Sequence, residues 1–366
     1  MPFKVSDKAD IATKWKALEV NSYNSIFLSW TWIGNWLELV NENIYLIEAS
    51  EKNKVVGLGF LVERSRKVFG FYPIKQWFLH RTGNPLQDQI WIEHNDFLLK
   101  EGMESEIRHR MISAIYQYHG APDEIVVGLS SENVISAFNK YYDKSRELIK
   151  SASFCVDFNS IENCYIEEVL SKNSRAQIAR SKKELLKIGK LEFEIISEQA
   201  RIKSLLPEIA NIHIQRWGNT KEGSGFSNAL FEQFHQLMLD DSGTVQVAML
   251  KINDRAIGYL VNFVYGNKVC FYLSALTPFK NNKIKVGLTL HTLAIQYYME
   301  QNINIYDFLA GNARYKRSLS NKTYSLIMSC FYKNNYLLVI ENKLKYIKNQ
   351  INLSFINSFR KNKGNI

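Results

Sequence analysis

The 366-residue sequence has few cysteines and no long apolar run. Its four cysteines and seven histidines are scattered without the paired spacing of metal ligands, so we expect free thiols in a reducing compartment and no metal site. No run of about 18 apolar residues is present, and no transmembrane helix is expected. The N-terminal segment lacks the apolar core of a signal peptide, so the expected location is cytoplasmic.

The composition is that of a globular protein rather than a disordered one. Hydrophobic residues make up 46% of the sequence and charged residues 22%, and the chain is long enough for two domains of ordinary size. The formal net charge of +10 favours acidic partners, namely nucleic acid, anionic lipid or phosphorylated small molecules. Charge alone does not choose among these partners.

The segment Ile303–Lys316 combines a strand pattern with a charged loop. Its first half alternates apolar and polar residues up to Gly311, as a short half-buried strand does. Asp307 lies inside this pattern, where a carboxylate is costly unless it is paired or hydrogen-bonded; an edge-strand position facing water is the alternative. The apolar helix Val286–Met299 precedes the segment. In such α/β units, ligands lie beyond the carboxyl ends of the strands.

An internal repeat relates the two halves of the chain at an offset of about 200 residues, which indicates duplicated domains. The strand pair at 45–60 recurs at 246–261, and the aromatic helix Phe27–Val40 recurs at Phe226–Leu239. Each copy has two helices, a strand meander, a helix and a strand. We therefore expect an α/β (α+β) architecture divided into an N-terminal degenerate domain (1–160), a basic connecting helix (161–190), a C-terminal catalytic domain (191–335) and a basic amphipathic tail (336–366).

The Tyr-Asp-Phe-Leu-x-Gly-x-x-x-Tyr-Lys run that begins at Tyr306 resembles the signature of the GNAT-like acyltransferases of the CelD/BcsL cellulose-biosynthesis group. These are distant relatives of the FemABX aminoacyltransferases. The order of elements in each copy also resembles the GNAT order, so the resemblance spans Phe27 to Phe331. It implies tandem GNAT-like domains, each with a mixed, mostly antiparallel sheet flanked by helices, and an enzyme of the N- or O-acyltransferase type.

The resemblance also implies where the donor, acyl-CoA with acetyl-CoA foremost, would bind. The pantetheine arm pairs with the fourth strand, here Val269–Leu276, and the pyrophosphate sits on amides at the start of the following helix. The glycine-rich loop usual at that helix is absent, and Gly287, which simple helix packing would also explain, stands there with two lysines. The donor residues implied are Leu273, Ser274, Ala275, Lys283, Lys285, Val286 and Gly287.

Acyl transfer requires a base and an electropositive site for the developing oxyanion. The resemblance implies Asp307 as the base and Tyr315 as a donor to the leaving thiolate. His213 is a rival base, although a lone histidine on a helix is more often structural. The acceptor or another acidic ligand group is expected at Arg216, Trp217, Tyr272 and Lys316.

Two basic helical segments each fit two alternative environments. The segment at 171–187 fits a solvated helix face between two domains, or a surface that faces phosphate or RNA. In the tail, apolar residues recur at helical spacing among lysines. This pattern fits either a docked C-terminal helix or a helix lying on an anionic membrane. The tail residues concerned are Ile340, Leu344, Ile347, Ile351 and Phe355.

Three functions follow from these patterns. The leading one is transfer of an acyl group from acyl-CoA to an amine or hydroxyl of a sugar or cell-envelope polysaccharide intermediate, either a small molecule or lipid-linked. The second is a FemX-like aminoacyltransferase whose donor is aminoacyl-tRNA. The third is a non-catalytic scaffold at a membrane surface. A peripheral position at the inner face of the membrane is compatible with each of them.

Overall fold

The computed structural model describes residues 2, 4, 7–22, 25–220, 223–240 and 243–347. The first half of the chain contains α1 (Lys8–Glu19), α2 (Trp30–Leu37), β1 (Asn43–Glu51), β2 (Lys54–Val68), β3 (Tyr72–Leu79), β4 (Leu98–Leu99), α3 (Glu104–Gln117), β5 (Glu124–Ser130), α4 (Glu132–Asn139) and β6 (Lys144–Asp157). The helices α5 (Tyr165–Glu168) and α6 (Lys172–Leu186) connect it to the second half. The second half contains β7 (Leu191–Ile196), α7 (Gln199–Trp217), α8 (Ala229–Asp240), β8 (Val245–Ile252), β9 (Arg255–Tyr265), β10 (Lys268–Leu276), α9 (Val286–Glu300), β11 (Ile305–Ala310), α10 (Arg314–Leu319), β12 (Lys322–Tyr332) and the helical residues 336–347, here α11.

Within the described residues, a 12-stranded sheet runs through both halves in the order β1-β2-β3-β5-β12-β6-β11-β10-β9-β8-β7, with β4 on β2. The two central strands are exchanged between the halves. Strand β12 pairs with β5 and β6, and β6 pairs with β11, all antiparallel. The expected division at residues 160–190 therefore does not separate two sheets, because each half satisfies the backbone groups of the other.

The repeat is visible in the geometry of two hairpins. The β1–β2 turn has positive φ at Lys52 (48°) and Asn53 (63°), and the β8–β9 turn has it at Asn253 (47°) and Asp254 (64°). Two consecutive positive φ values are the signature of the turn that best matches strand twist in a two-residue hairpin loop. The register also shifts just before each turn, between Ala49 and Ser50 in the first case and between Leu250 and Lys251 in the second. The duplicated α/β fold is confirmed.

The aromatic helices bring the two halves together. Helices α2 and α8 each follow a short 3₁₀ turn, and the rings of Trp32 and Phe234 lie 4.8 Å apart between them. Ser29 begins α2 by accepting a hydrogen bond of 3.2 Å from the Trp32 amide. Both aromatic side chains are fully buried in an apolar cluster that contains residues of both halves. Burial of such a side chain contributes roughly 2–3 kcal/mol, so this contact stabilises the arrangement of the halves.

The two basic helices differ in how they pack. Helix α6 buries Ser181 and Leu185, and the Ser181 hydroxyl lies 2.9 Å from that of Thr289 on α9. Helix α11 buries Leu338 and Asn342, whereas Leu344 and Ile347 are each 52% exposed. The docked face of α11 is therefore not the apolar face that the spacing indicated. Two residues of that face, Ile351 and Phe355, lie outside the described residues.

All four cysteines are free thiols, as expected. Across the described ranges, no group of three or more His, Cys, Asp or Glu side chains is placed to hold a metal ion. None of the helices in those ranges has the length and apolar character that crossing a bilayer requires.

Candidate active site

A gap opens between β10 and β11 in the second half. The two strands pair in parallel only from Lys268–Cys270 to Ile305–Asp307, and among the described strands none pairs with the β11 side of β10 beyond that point. Strand β11 also bulges, since its register with β6 shifts between Asp307 and Ala310 and Leu309 has φ 59°. A bulge of this kind bends the strand away from its neighbour. The gap is occupied by a cavity of about 230 Å³.

The first half supplies a carboxylate to this cavity. Glu93 is 7% exposed and lines the cavity, and its Oε2 accepts a hydrogen bond of 2.8 Å from the Ala310 amide. Burial raises the pKa of Glu93 to about 7, although the Ala310 amide and the Lys316 charge act in the opposite direction. A carboxylate that titrates near neutrality in a cavity is suited to general base catalysis.

The backbone around Glu93 is held in a strained form. Trp91 and His94, on either side of it, both have φ 48° in the left-handed region. Non-glycine residues adopt this region at a cost of about 1–3 kcal/mol, and such positions concentrate at functional sites. No sequence pattern pointed to Glu93, because it lies in an irregular loop of the half that we expected to be degenerate.

Asp307 lies at the centre of a buried ion cluster. Its carboxylate is 1% exposed and contacts Lys268 Nζ at 2.6 Å, His94 Nε2 at 3.3 Å and the Tyr324 hydroxyl at 2.7 Å. Although burial acts to raise it, the Lys268 charge and the His94 hydrogen bond hold the pKa of Asp307 well below its usual range. Asp307 does not line the cavity. These contacts argue against the expected role of Asp307 as base, and Lys268 is its ion partner.

Lys316 stabilises the bulge of β11 through hydrogen bonds. Its ammonium group is buried and donates to the carbonyl oxygens of Phe308 and Ala310, both at 2.6 Å. Burial lowers the pKa of Lys316, and the charge of Glu93 opposes this shift. Lys316 lines the cavity as expected, but its ammonium group contacts backbone carbonyls rather than open space. It adds positive potential beside Glu93.

Of the other residues expected in the site, His213 and Tyr272 line the cavity and Tyr315 does not. His213 lines it and lies 2.7 Å from the Ser224 hydroxyl, and burial lowers the pKa of His213 to about 4. Tyr272 also lines it and donates to the Ile90 carbonyl at 2.6 Å. Tyr315 instead stacks on His291 with ring centroids 5.4 Å apart, and burial raises the pKa of Tyr315 to about 12. His213 is therefore neutral at pH 7 and Tyr315 is protonated.

The residues expected to bind the donor lie along β10 and at the start of α9. Leu273 lines the 230 Å³ cavity, and Ser274 and Ala275 continue the strand toward Leu276, which lines a second cavity of about 500 Å³. Three residues of strand span about 10 Å. The unpaired side of β10 therefore extends from one cavity to the other.

The second cavity meets the helix start that we expected to bind pyrophosphate. Val286 and Gly287 line it together with Arg216, whose guanidinium lies 5.2 Å from the Trp217 ring centroid. Lys283 and Lys285 are exposed in the preceding loop. A Cβ at Gly287 would lie 3.0 Å from Leu276 Cδ1, so close packing on Leu276 accounts for the glycine.

The corresponding gap in the first half is filled by the chain itself. Strands β3 and β5 are parallel, and beyond their last pair Asn95 bridges them. Its side chain donates to the Leu79 carbonyl at 2.8 Å, and its amide donates to the Leu129 carbonyl at 2.9 Å. The Ser130 hydroxyl donates to the Asn95 carbonyl at 2.5 Å. Asn95 therefore occupies the carbonyl groups of Leu79 and Leu129, which a donor molecule would otherwise pair with.

Comparison with known proteins supports a GNAT-type fold. Residues 172–317 match the family model of the acetyltransferase (GNAT) domain. No curated protein matches the chain by sequence. The structure is similar to that of FemX, with a TM-score of 0.58 and 12% identity over 93% of this chain and 100% of that one.

Two further solved structures carry the same fold. One is the C-terminal domain of a protein described as a lysylphosphatidylglycerol synthetase from Agrobacterium fabrum, with a TM-score of 0.55 and 13% identity over 92% of this chain and 96% of that one. The other is L-PGS from Bacillus licheniformis, with a TM-score of 0.55 and 11% identity over 90% of this chain and 94% of that one. At such identities the likeness establishes the fold alone. Together with the domain match, it supports the expected class, a GNAT-type transferase.

Proposed function

We propose that the protein transfers an acyl group, foremost acetyl, from acyl-CoA to an amine or hydroxyl of a sugar intermediate, with Glu93 as the general base. The observation that carries this proposal is a carboxylate with a pKa near 7 inside the gap between β10 and β11. The CelD/BcsL resemblance of the Tyr306–Lys316 segment supports a cell-envelope acceptor. In this proposal Asp307 is a positioning residue, because its cluster holds His94 next to Glu93.

The donor would lie along β10. Its phosphates would meet the start of α9, where free amides and the helix dipole favour an anion, with Lys283, Lys285 and Arg216 nearby. Its thioester would reach the cavity at Leu273. The residues present fit such a donor, since an open strand side extends from one cavity to the other.

The proposed reaction would need no proton from outside the cavity, because Glu93 both accepts a proton and returns it. Glu93 takes the proton of the acceptor N–H or O–H, and the nucleophile attacks the thioester carbonyl carbon. The oxyanion would be met by backbone amides of β10, and by the positive potential of Lys316. When the C–S bond breaks, the carboxylic acid of Glu93 returns the proton to the thiolate, so that the products are the acylated acceptor and free thiol.

A FemX-like reaction with aminoacyl-tRNA is the second candidate, and a specific surface favours it. Arg180, Lys182 and Lys183 are exposed on α6, which packs on α9 beside the donor cavity. The Asn281 side chain ties the loop before α9 to Glu184 of α6 at 3.2 Å. The basic face of α6 therefore flanks the donor site, where a polyanion such as RNA would gain electrostatic attraction.

Equilibrium binding separates these candidates. Isothermal titration of the full chain with acetyl-CoA and with a deacylated tRNA, at two salt concentrations, identifies the donor class. We expect micromolar acetyl-CoA binding that Gly287→Val abolishes, because the added side chain would collide with Leu276 and fill the donor cavity. Ala294→Val, a substitution deeper in the same helix, controls for disturbance of α9. Tight tRNA binding without acetyl-CoA binding would favour the FemX-like reaction, and binding of neither would favour a non-catalytic scaffold.

A further inference from the structure

Another large cavity lies on the first half, next to the proposed active site. It has a volume of about 650 Å³ and is bounded by β3, β5, β6, β12, the 83–91 loop and α11. Gln89 and Trp91 line both this cavity and the cavity that contains Glu93. The two cavities therefore adjoin at these side chains. A molecule bound in the larger one would lie beside the cavity that contains the proposed base.

The side chains at the larger cavity carry a small excess of positive charge. Arg66, Arg81, Arg146 and Lys345 line it. Three carboxylates neutralise part of this charge: Glu124 and Glu341 each pair with Arg66 at 2.8 Å, and Asp88 pairs with Arg81 at 3.1 Å. Lys345 shares Glu341 at 2.9 Å. Four cations thus face three acids.

Of these four cations, Arg146 is the one that none of the three carboxylates pairs with. Its Nε donates to the Asn342 side chain of α11 at 2.6 Å, a neutral partner. In the part of the chain that the structure describes, no carboxylate forms an ion pair with it. A guanidinium group has five donors in a planar fork, which matches the oxygens of a phosphate. Arg146 is therefore placed to bind an anionic group of a ligand.

Trp91 gives the cavity a surface that suits a ring. Trp91 is 49% exposed and is held at φ 48°, so a large indole face is kept at the junction of the two cavities. The wall also includes the apolar side chains of Phe78, Val126 and Met328. Sugar rings stack with their C–H faces on indole, and their phosphates bind guanidinium groups.

We infer that this cavity is the acceptor site and that the acceptor is a phosphate-bearing sugar, with its phosphate at Arg146 and its ring on Trp91. The inference rests on the proposed function, because it gives the acceptor of the same reaction. It also assigns a role to α11, which supplies Lys345 to the wall and Asn342 as the partner of Arg146. The phosphate can belong to a soluble sugar phosphate or to a lipid-linked sugar diphosphate, since both present the same group.

Calorimetric titration of the full chain with glucosamine 1-phosphate, and separately with glucosamine, tests the inference. We expect glucosamine 1-phosphate to bind at least about tenfold more tightly, and Arg146→Gln to remove that preference. Arg146→Lys should restore part of it. Lys150→Gln removes an exposed charge from the same strand outside the cavity and should change nothing. Trp91→Ala should weaken glucosamine 1-phosphate binding but leave pyrophosphate binding as it is.

The outcomes separate this inference from the proposed function. If acetyl-CoA binds and the phosphate preference is absent, or survives in Arg146→Gln, the acceptor site is refuted while the transferase remains. If the preference is present but acetyl-CoA does not bind, the site is an anion site of another reaction and the proposed function fails. Stronger binding of a polyprenyl-diphosphate sugar in detergent micelles than of its soluble diphosphate would assign a lipid-linked source, and equal binding a soluble one.

Discussion

Glu93 of the first half and Ala310 of the second half are joined by a hydrogen bond of 2.8 Å from the Ala310 amide to Glu93 Oε2. The proposed base thus comes from one copy of the repeat and the gap that it faces comes from the other. Neither half alone contains the complete site. The exchange of β6 and β12 in the sheet and the contact of Trp32 with Phe234 fix the halves against each other.

Glu93→Gln should lower turnover by at least about a hundredfold with little effect on acetyl-CoA binding, because the amide cannot accept the proton. The base is active when deprotonated, so the wild-type rate should rise with pH and level off above about 7. Steady-state rates between pH 5.5 and 8.5 measure this. The exposed Glu101→Gln is the matched control. An unchanged rate in Glu93→Gln would exclude Glu93 from the chemistry.

Asp307→Asn should lower stability, because it leaves the half-buried Lys268 without its carboxylate. The cost of breaking such a pair is about 3–5 kcal/mol. Urea denaturation measures it, and the double variant that adds Lys268→Met to Asp307→Asn should recover part of the loss. The folded pKa of Asp307 is depressed, so the stability it contributes is present at neutral pH and is lost as the pH falls below about 4. Reduced turnover per folded molecule with unchanged stability would contradict this role.

Replacement of Lys283 and Lys285 together by alanine should weaken acetyl-CoA binding. Each lost contact to a phosphate should cost on the order of 1 kcal/mol or more, and the effect should shrink at high salt. Titration calorimetry at two ionic strengths measures both. Lys54→Ala, at a hairpin of the first half, is the control for a change of net charge. Equal affinity in the double variant would move the donor phosphates elsewhere.

Asn95→Ala should destabilise the protein by about 1–3 kcal/mol, because the Leu79 carbonyl and His80 lose a buried partner. It should not create a second donor site, since the backbone of Asn95 still bridges β5. Denaturation measures the first effect, and the stoichiometry of acetyl-CoA binding measures the second. Two bound donors per chain in the variant would mean that the side chain alone closes the gap of the first half.

Leu344→Asp combined with Ile347→Asp should reduce sedimentation of the protein with anionic vesicles, if the apolar face of α11 meets a membrane. Both side chains are exposed, so the melting temperature should hold. Leu186→Asp with Ile188→Asp alters exposed apolar residues elsewhere and serves as the control. In contrast, deletion after Asn335 should lower stability, because Leu338 is buried and Glu341 pairs with Arg66. Failure of the wild type to sediment would end the membrane hypothesis.

The sequence by itself determined the duplicated α/β order, because hairpins, amphipathic helices and their caps depend on neighbours close in the chain. The two-residue turns at Lys52–Asn53 and Asn253–Asp254, the capped helix α6 and the apolar helix α9 are all of this kind. The resemblance of the Tyr306–Lys316 segment likewise pointed to a transferase.

Only the tertiary structure decided which side chains meet. Lys268, His94 and Tyr324 converge on Asp307 although they lie on β10, in the 91–95 loop and on β12. The pKa of Asp307 depends on these distant partners, and the pKa of Glu93 likewise depends on the gap between β10 and β11 of the other half, which its side chain enters. Burial and ion pairing depend on strand exchange and register across the sheet, which no local pattern encodes.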